Sequence, residues 1–158
     1  MPQSLAKVLI HMVWSTKHRT PWLKDKQVRK ELHAYMATVL GNMDSPALVI
    51  NGVEDHVHVL CLMSRKFTLA QLFEAVKADS SKWIKSKGLE YVEFYWQGGY
   101  GVFSVSESNC PEVRKYIEDQ ERHHQTMSYQ DEFRWLCQKN IHAPLPRPAA
   151  AKRCLSLG

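Results

Sequence analysis

The chain has 158 residues, of which 44% are hydrophobic, and its formal net charge is +5. A chain of this length is most simply one globular domain. No apolar run approaches the roughly 20 residues that span a bilayer, and the first residues lack a signal-peptide pattern, so we expect a cytoplasmic protein with no membrane partner. The four cysteines are scattered without a Cys-x-x-Cys pair, which excludes an obvious zinc knuckle or disulfide framework.

Positive charge is concentrated at the two ends of the chain. The segment 141–158 is rich in proline and alanine and carries three cations and no acid, so we expect a disordered basic tail after a domain spanning residues 1–140. The first thirty residues hold seven basic residues against Asp25 alone. This asymmetry favours one face that meets an anionic partner, with nucleic acid the leading candidate.

The first third of the chain predicts a strand, a helix and a second strand. Residues 5–14 are β-prone, and a basic loop follows them up to Pro21. Apolar residues at three- and four-residue spacing over 28–40 predict an amphipathic helix that ends at Gly41. Residues 47–51 then predict the second strand.

The next segments repeat this pattern in the order strand, helix, strand. Alternation over 53–63 predicts a third strand, and a capping-box signature at Thr68 begins a helix that Gly88 closes. The segments 91–96 and 102–105 are β-prone and flank three glycines. Two terminal helices are predicted over 111–125 and 129–138, the first capped by Asn109.

This order predicts an α+β, ferredoxin-like fold with the succession strand, helix, strand, strand, helix, strand. Its sheet is antiparallel, its helices pack on one face, and the other face is expected to stay available for ligands. A further C-terminal helix carries Tyr116.

Two histidines stand two residues apart near the centre of the predicted third strand. Side chains at this spacing share a face, so His56 and His58 point the same way and could grip a metal ion together. A His-x-His pair alone is more often a pair of polar residues on a solvated face. Tyr116 and Gln120 lie one turn apart on the following helix, where they could add a phenol and an amide oxygen.

These motifs together resemble the single-tyrosine HUH transposases of the insertion-sequence 200/605 group. The resemblance covers residues 5–140 and rests on four segments in the right order: His56-Val57-His58, residues 116–120, the opening segment 11–19 and the segment 96–105. Any one of these motifs is weak, whereas four in order are specific.

The resemblance implies a reaction as well as a fold. It implies that His56, His58 and Gln120 bind a divalent cation, Mg²⁺ or Mn²⁺, and that Tyr116 attacks a single-stranded DNA phosphate. The product is a 5′-phosphotyrosine and a free 3′-OH. It also implies hairpin recognition at element ends and a homodimer, and whether Tyr116 serves its own or its partner's metal site stays open. Such an enzyme would associate with the nucleoid while acting on DNA.

The residue types suit this chemistry. A phenol has a pKa of about 10 and needs help to ionise, while a cation offsets charge on the phosphate. A phosphotyrosine keeps the energy of the broken bond, so no nucleotide cofactor is needed, in agreement with the lack of a Gly-rich phosphate motif. Two imidazoles and an amide carry no negative charge, so we expect weak metal binding without DNA and a preference for Mn²⁺.

Several other residues are candidates for contact with DNA or the metal ion. Lys17 and Arg19 follow the first strand and are candidates for phosphate contact, and Trp96 and Tyr100 could stack on bases or serve as core or dimer residues. His124 could replace or supplement Gln120, although a solvated helix end is the simpler reading. His11 has no spacing partner, so a structural or exposed role is expected.

Two other functions fit the same sequence. A ferredoxin-like sheet could serve as a noncatalytic module for single-stranded nucleic acid, although the aromatic glycine-rich motif of such modules is missing. A domesticated relative could cleave hairpins and mobilise nothing, by the same chemistry.

Overall fold

A computed structural model of the protein describes residues 4–140. The tail predicted at 141–158 lies outside the described residues. None of the helices within residues 4–140 combines the length and the apolar character that a bilayer crossing requires.

Four antiparallel strands form one sheet in the order β2-β3-β1-β4. The strands are β1 (Leu9–Ser15), β2 (Ala47–Gly52), β3 (His56–Leu62) and β4 (Gly101–Val105). Helix α1 (Lys26–Asn42) connects β1 to β2, and helix α2 (Leu69–Lys85) connects β3 to β4. The predicted ferredoxin-like arrangement is confirmed.

The two connecting helices begin at capping side chains, of which the sequence predicts Thr68 alone. Asp25 accepts hydrogen bonds from the backbone N–H groups of Gln27 and Val28 at the start of α1. Thr68 and Gln71 form a reciprocal capping box at the start of α2. Each cap satisfies backbone donors that a helix N-terminus leaves without partners.

One face of the sheet packs against α1 and α2 and forms the main hydrophobic core. Alternate residues of the two central strands point into it, and helix residues such as Leu32, Leu72 and Phe73 fill the opposite side. The strand residues concerned are Ile10, Met12 and Trp14 of β1 and Val57, Val59 and Cys61 of β3.

Several predicted boundaries differ from the structure. Strand β1 begins at Leu9 rather than Leu5, and His56 is the first residue of β3, so the histidines lie at the start of the strand and not at its centre. The chain turns tightly just before them, where a Cβ on Gly52 would meet the carbonyl oxygen of His56 at 2.2 Å. This turn therefore requires a residue without a Cβ at position 52.

The β-prone segment 91–96 is not a strand. A 3-10 turn spans Leu89–Tyr91, and Trp96 joins the sheet only through an isolated bridge to Thr16. Tyr91, Phe94 and Trp96 are all buried in the main core. Their aromatic rings fill the core from a turn, so packing overrides the β-propensity of the segment.

The second face of the sheet is covered, contrary to the prediction that it stays open. Helices α3 (Cys110–Glu118), α4 (Gln120–His123) and α5 (Tyr129–Asn140) follow β4, and a second apolar cluster joins α5 to Val13 of β1. The apolar residues of α5 in this cluster are Tyr129, Phe133 and Leu136.

The helix predicted over 111–125 is broken at Asp119, which has φ −89° and ψ 16°. The amide of Asn51 on strand β2 donates to the carbonyl oxygens of Ile117 and Glu118, each at 3.0 Å. A continuous helix would use these two carbonyls for its own hydrogen bonds. Asn51 of this edge strand therefore satisfies the carbonyl groups at the end of α3, and the chain turns toward Gln120 after them.

Candidate active site

The sheet face under α3, α4 and α5 buries polar side chains as deeply as the face under α1 and α2 buries apolar ones. The fully buried polar residues there are His56, His58, Gln120 and Glu132, and His11 is 3% exposed. Buried polar groups are costly unless they bond to each other, so their clustering indicates a site.

The two histidines on β3 direct one ring nitrogen each toward the same carboxylate. His56 Nε2 lies 3.3 Å from Glu132 Oε2, and His58 Nε2 lies 2.8 Å from Glu132 Oε1. The other nitrogen of each ring has its own partner: His56 Nδ1 lies 2.7 Å from Asp55 Oδ1, and His58 Nδ1 lies 2.8 Å from His11 Nε2. Both rings are therefore fixed in orientation.

Tyr116 of α3 reaches the same carboxylate. Its hydroxyl donates to Glu132 Oε1 at 2.5 Å, and its ring centroid lies 6.0 Å from that of His58. The rings of His123 and Trp135 flank it, with centroids at 4.8 and 5.5 Å. The phenol is held next to the histidine pair.

Gln120 also lies at the site. Its Oε1 is 3.3 Å from His56 Nε2, and its Nε2 donates to Glu132 Oε1 at 3.1 Å. The structure thus brings together the four residues singled out in the sequence, His56, His58, Tyr116 and Gln120.

Glu132, at the centre of this network, is the residue that the sequence interpretation missed. It lies on α5 between Tyr129 and Leu136, three residues after the first and four before the second. This spacing puts a carboxylate on the apolar stripe of an amphipathic helix, where an unpaired acid is rarely buried. An acidic residue on an apolar helical stripe was the signal by which the sequence could have identified Glu132 as a site residue.

Two further histidines belong to the site. His124 Nε2 contacts Glu132 Oε2 in a very short hydrogen bond, and its Nδ1 lies 2.7 Å from the Met127 carbonyl oxygen. The expectation of a solvated helix end is therefore wrong for His124. His11 is buried and stacks on His58 with ring centroids 5.1 Å apart.

The network sets the ionisation of its acidic members. Burial alone would raise the pKa of Glu132, but His58 and the hydrogen bonds from His124 and His56 hold it well below its usual range. Burial and the Glu132 carboxylate raise the pKa of Tyr116 above its usual value. The site therefore contains an ionised carboxylate beside a phenol that keeps its proton.

The histidines differ among themselves. Burial alone would lower the pKa of His56, but Asp55 and Glu132 raise it to about 9. Burial lowers the pKa of His58 and lowers that of His11 to about 3. His11 is therefore neutral, while His56 carries a proton that a metal ion would have to displace.

The donor set fits a divalent cation. Ligand atoms of His56, His58 and Glu132 all lie within 4.8 Å of one another, and all three residues are buried. Among the described residues His58 Nε2 is a buried nitrogen without a hydrogen-bond partner, although Glu132 Oε1 lies 2.8 Å away. Two imidazoles and a carboxylate suit Mn²⁺ and related ions, and Glu132 supplies the negative charge that the predicted donor set lacked.

A basic loop lies beside this site. Lys17 and Arg19 are exposed in the 3-10 turn after β1, where His18 and Arg19 have left-handed φ values of 58° and 56°. Such conformations are uncommon for residues other than glycine, although histidine adopts them more often than most, and they concentrate at functional sites. Arg19 also lines a cavity of about 630 Å³ that extends to Asp55, His124 and Tyr129.

The two aromatic residues singled out for base stacking lie on the other side of the sheet. Trp96 is 9% exposed, and its Nε1 donates to Ser80 Oγ at 2.9 Å. Tyr100 stacks on Phe73 with ring centroids 3.6 Å apart. Both rings pack within or against the main core, and their neighbour Tyr95 is 48% exposed.

The profile of the family described as "Transposase IS200 like" matches residues 4–120. The chain belongs to this family. A search of curated proteins found no match. The segment that carries His56, His58, Tyr116 and Gln120 lies within the matched residues, whereas Glu132 and the whole of α5 lie beyond them.

Two solved structures share the fold of this family member. One is a candidate transposase from Deinococcus radiodurans R1, with a TM-score of 0.59 and 23% identity over 76% of this chain and 95% of that one. The other is a REP-associated tyrosine transposase bound to a REP hairpin, with a TM-score of 0.58 and 12% identity over 95% of this chain and 94% of that one.

Proposed function

We propose that this transposase cleaves and rejoins single-stranded DNA at hairpin-flanked ends through a 5′-phosphotyrosine on Tyr116. The supporting observation is that the Tyr116 hydroxyl bonds to a carboxylate that also contacts His56 and His58. A phenol, a carboxylate that accepts its hydrogen bond and a metal-binding pair of histidines thus share one buried site. These are the groups that attack on a phosphate diester requires.

The proposed first step uses Tyr116 and Glu132. The Tyr116 oxygen forms a bond to phosphorus while the bond from phosphorus to the 3′ oxygen breaks. The phenol proton leaves to solvent, because a carboxylate whose pKa lies well below its usual range is too weak a base to keep it, and the 3′ oxygen takes a proton from solvent. Glu132 Oε1 accepts the hydroxyl hydrogen bond at 2.5 Å, which orients the phenol beside the histidine pair. Rejoining is the reverse reaction, in which a 3′-OH displaces Tyr116.

His56 and His58 would hold the divalent cation, Mg²⁺ or Mn²⁺, with an oxygen of Gln120 or Glu132 as a further ligand. When bound, the cation would polarise the scissile phosphate and offset charge that develops on it. Gln120 also bonds through its Nε2 to Glu132 and, at 3.4 Å, to the Tyr116 carbonyl oxygen. It would therefore position both the carboxylate and the nucleophile's helix.

The single strand would enter through the cavity beside the basic loop. Arg19, Lys24 and Lys26 line this cavity, which also borders Asp55 next to the first metal ligand. Phosphate contacts of this kind position a strand without reading its sequence. We propose contacts from Lys17 and Arg19. The solved relative bound to a REP hairpin supports a hairpin substrate.

Tyr95 suits base stacking better than the aromatic residues on either side of it. Its ring is exposed, and the Nζ atoms of Lys17 and Lys85 lie 5.6 and 3.9 Å from its centroid. Its carbonyl oxygen accepts from the Lys17 N–H at 2.8 Å, which ties it to the basic loop. Exposed aromatic rings beside cations are typical of single-strand binding surfaces. Trp96 and Tyr100 would support this surface from the core.

We propose that Tyr116 acts in its own subunit, because one chain supplies the phenol, the histidine pair and Glu132 at contact distances. The homodimer implied by the resemblance stays a prediction. Mixing Tyr116→Phe protein with His56→Ala protein tests the assignment. Activity should stay absent, whereas restored activity would show that the tyrosine serves a partner's metal site.

The deciding experiment incubates the protein with single-stranded hairpin DNA and Mn²⁺ and resolves the products on a denaturing gel. We expect a covalent protein–DNA adduct that disappears in Tyr116→Phe, in His56→Ala and in excess chelator. An adduct that persists in Tyr116→Phe would move the nucleophile to another residue, with Tyr129 the next candidate. Hairpin binding without an adduct in any condition would favour the noncatalytic module.

A further inference from the structure

His11 is a buried histidine that the proposed chemistry does not use. It lies on β1, where the strand register places it diagonally across from His58, because Val13 pairs with His58 and His11 pairs with Leu60. Diagonal neighbours on one face are within reach of long side chains. The two rings stack, and His11 Nε2 lies 2.8 Å from His58 Nδ1.

A packing role alone does not explain an imidazole at this position. The side chain is 3% exposed and lies beside Phe103, with ring centroids 6.2 Å apart. An apolar residue would fill the same space without the cost of burying a polar ring. The hydrogen bond to His58 is the contact that an apolar residue could not make.

In a neutral imidazole, that hydrogen bond bears on which ring nitrogen of His58 carries the proton. Each ring carries one proton, so His58 can offer an Nε2 lone pair only when its proton is on Nδ1. A buried N–H needs an acceptor, and within residues 4–140 the neighbouring nitrogen of His11 takes that place. Asp55 does the same for His56, since its Oδ1 lies 2.7 Å from His56 Nδ1.

We propose that His11 is a positioning residue for the metal site, holding His58 with its Nε2 lone pair directed at the cation. His11 accepts the Nδ1 proton of His58 through Nε2 and keeps its own proton on Nδ1. The site then has two matched outer supports, a carboxylate behind His56 and a neutral imidazole behind His58. Such supports fix ligand orientation and typically change metal affinity about 10–100-fold.

The test compares His11→Gln with His11→Met, two side chains of similar length and volume of which only glutamine offers a strong acceptor. Binding of Mn²⁺ alone to the DNA-free protein is followed by electron paramagnetic resonance. We expect about 10–100-fold weaker binding in His11→Met and a loss of only a few fold in His11→Gln. Phe103→Leu, which alters packing around His11 without removing the acceptor, should bind as the unaltered protein does.

The inference rests on the proposed metal site, and the same titration separates the two. Mn²⁺ binding that survives His11→Met unchanged, or is lost equally in both His11 variants, would overturn the positioning role while the metal site stands. If the unaltered protein binds no Mn²⁺ either with or without hairpin DNA, or if His56→Ala binds it as tightly, the metal site itself is refuted and the inference with it. Thermal unfolding in chelator confirms that each variant is folded.

Discussion

The two faces of the sheet are equally buried and chemically opposite. Met12 and Val57 face the helices α1 and α2, while their chain neighbours His11 and His56 face the helices α3, α4 and α5. On the first face the partners are mainly apolar, with the buried Ser80 as an exception. On the other, Tyr116, Gln120 and Glu132 supply phenol, amide and carboxylate to the histidines. Burial therefore does not distinguish a core from a site here; the helices packed opposite do.

The faces also contribute differently to stability. Apolar burial stabilises by roughly 25 cal/mol per Å² of surface removed from water. A buried ionic network contributes little net stability, because desolvation offsets the attraction within it. Substitutions on the face under α1 and α2 should therefore act on folding. Substitutions on the face that carries His11, His56 and His58 (the histidine face) should act first on chemistry, and those that leave a buried charge without its partner should also destabilise the fold.

The largest expected effect is on the sheet face that packs against α1 and α2. Phe73→Ala removes a 2%-exposed ring from the main core and should lower the free energy of unfolding by about 3–5 kcal/mol. Urea unfolding measures this. The adduct-forming rate of the folded fraction should stay within about twofold of the unaltered rate, since the substitution leaves the electrostatic environment of the site in place. A selective loss of that rate would break the division between the two faces.

Glu132→Gln should show the converse effect on the histidine face. The amide oxygen can still accept from Tyr116, but the negative charge between the histidines is lost, so the adduct-forming rate should fall about 10²–10³-fold. Single-turnover kinetics with hairpin DNA and Mn²⁺ measure this rate. Asp131→Asn, on the exposed side of the same helix, is the matched control and should leave the rate unchanged. An equal loss in both variants would point to disruption of α5.

A smaller effect is expected on the proposed DNA surface. Tyr95→Ala should weaken hairpin binding by about 1–3 kcal/mol, or roughly 5- to 150-fold, through the loss of base stacking. Tyr95→Phe should bind normally because it keeps the ring. Fluorescence anisotropy with a labelled hairpin carrying a single-stranded flank measures both variants. Equal affinity of Tyr95→Ala and the unaltered protein would remove this residue from the proposed DNA surface.

The last expected effect concerns pH and is spread over more than two pH units. Burial, assisted by Arg29, lowers the pKa of His33 from 6.5 to about 4. Between these values the unfolded chain binds a proton that the folded chain does not, so stability falls as pH falls from about 6.5 to 4. One proton corresponds to a slope of about 1.4 kcal/mol per pH unit. Denaturant unfolding in chelator should show a shallower decline for His33→Gln. An unchanged slope would contradict this ionisation.

The sequence predicts most of the fold because its signals are local. The capping box at Thr68, the helical stripe of α1 and the alternation around His56 each depend on neighbouring residues, and the structure bears them out. The departures depend on distant contacts. Asn51 ends α3 from another element, and the ring of Trp96 is drawn into the core beside Ser80. Local propensity contains no information about either contact.

The candidate site was predicted in part for the same reason. His56 and His58 share a face by strand geometry, and Tyr116 and Gln120 are only four residues apart in the sequence. Glu132 joins them only when α5 folds over the sheet, and it meets His56 across a separation that no periodic pattern records. A carboxylate on an apolar helical stripe is therefore worth treating as a site residue in sequences of this kind.

The most direct test of the central claim is to locate the covalent bond. After reaction with hairpin DNA, nuclease treatment and trypsin digestion, mass spectrometry should find a nucleotide remnant on the peptide spanning 116–122, whose sole tyrosine is Tyr116. Cleavage after Lys115 and Arg122 releases this peptide, while Tyr129 falls in the peptide spanning 123–134. A remnant on the second peptide, or on neither, would contradict the account.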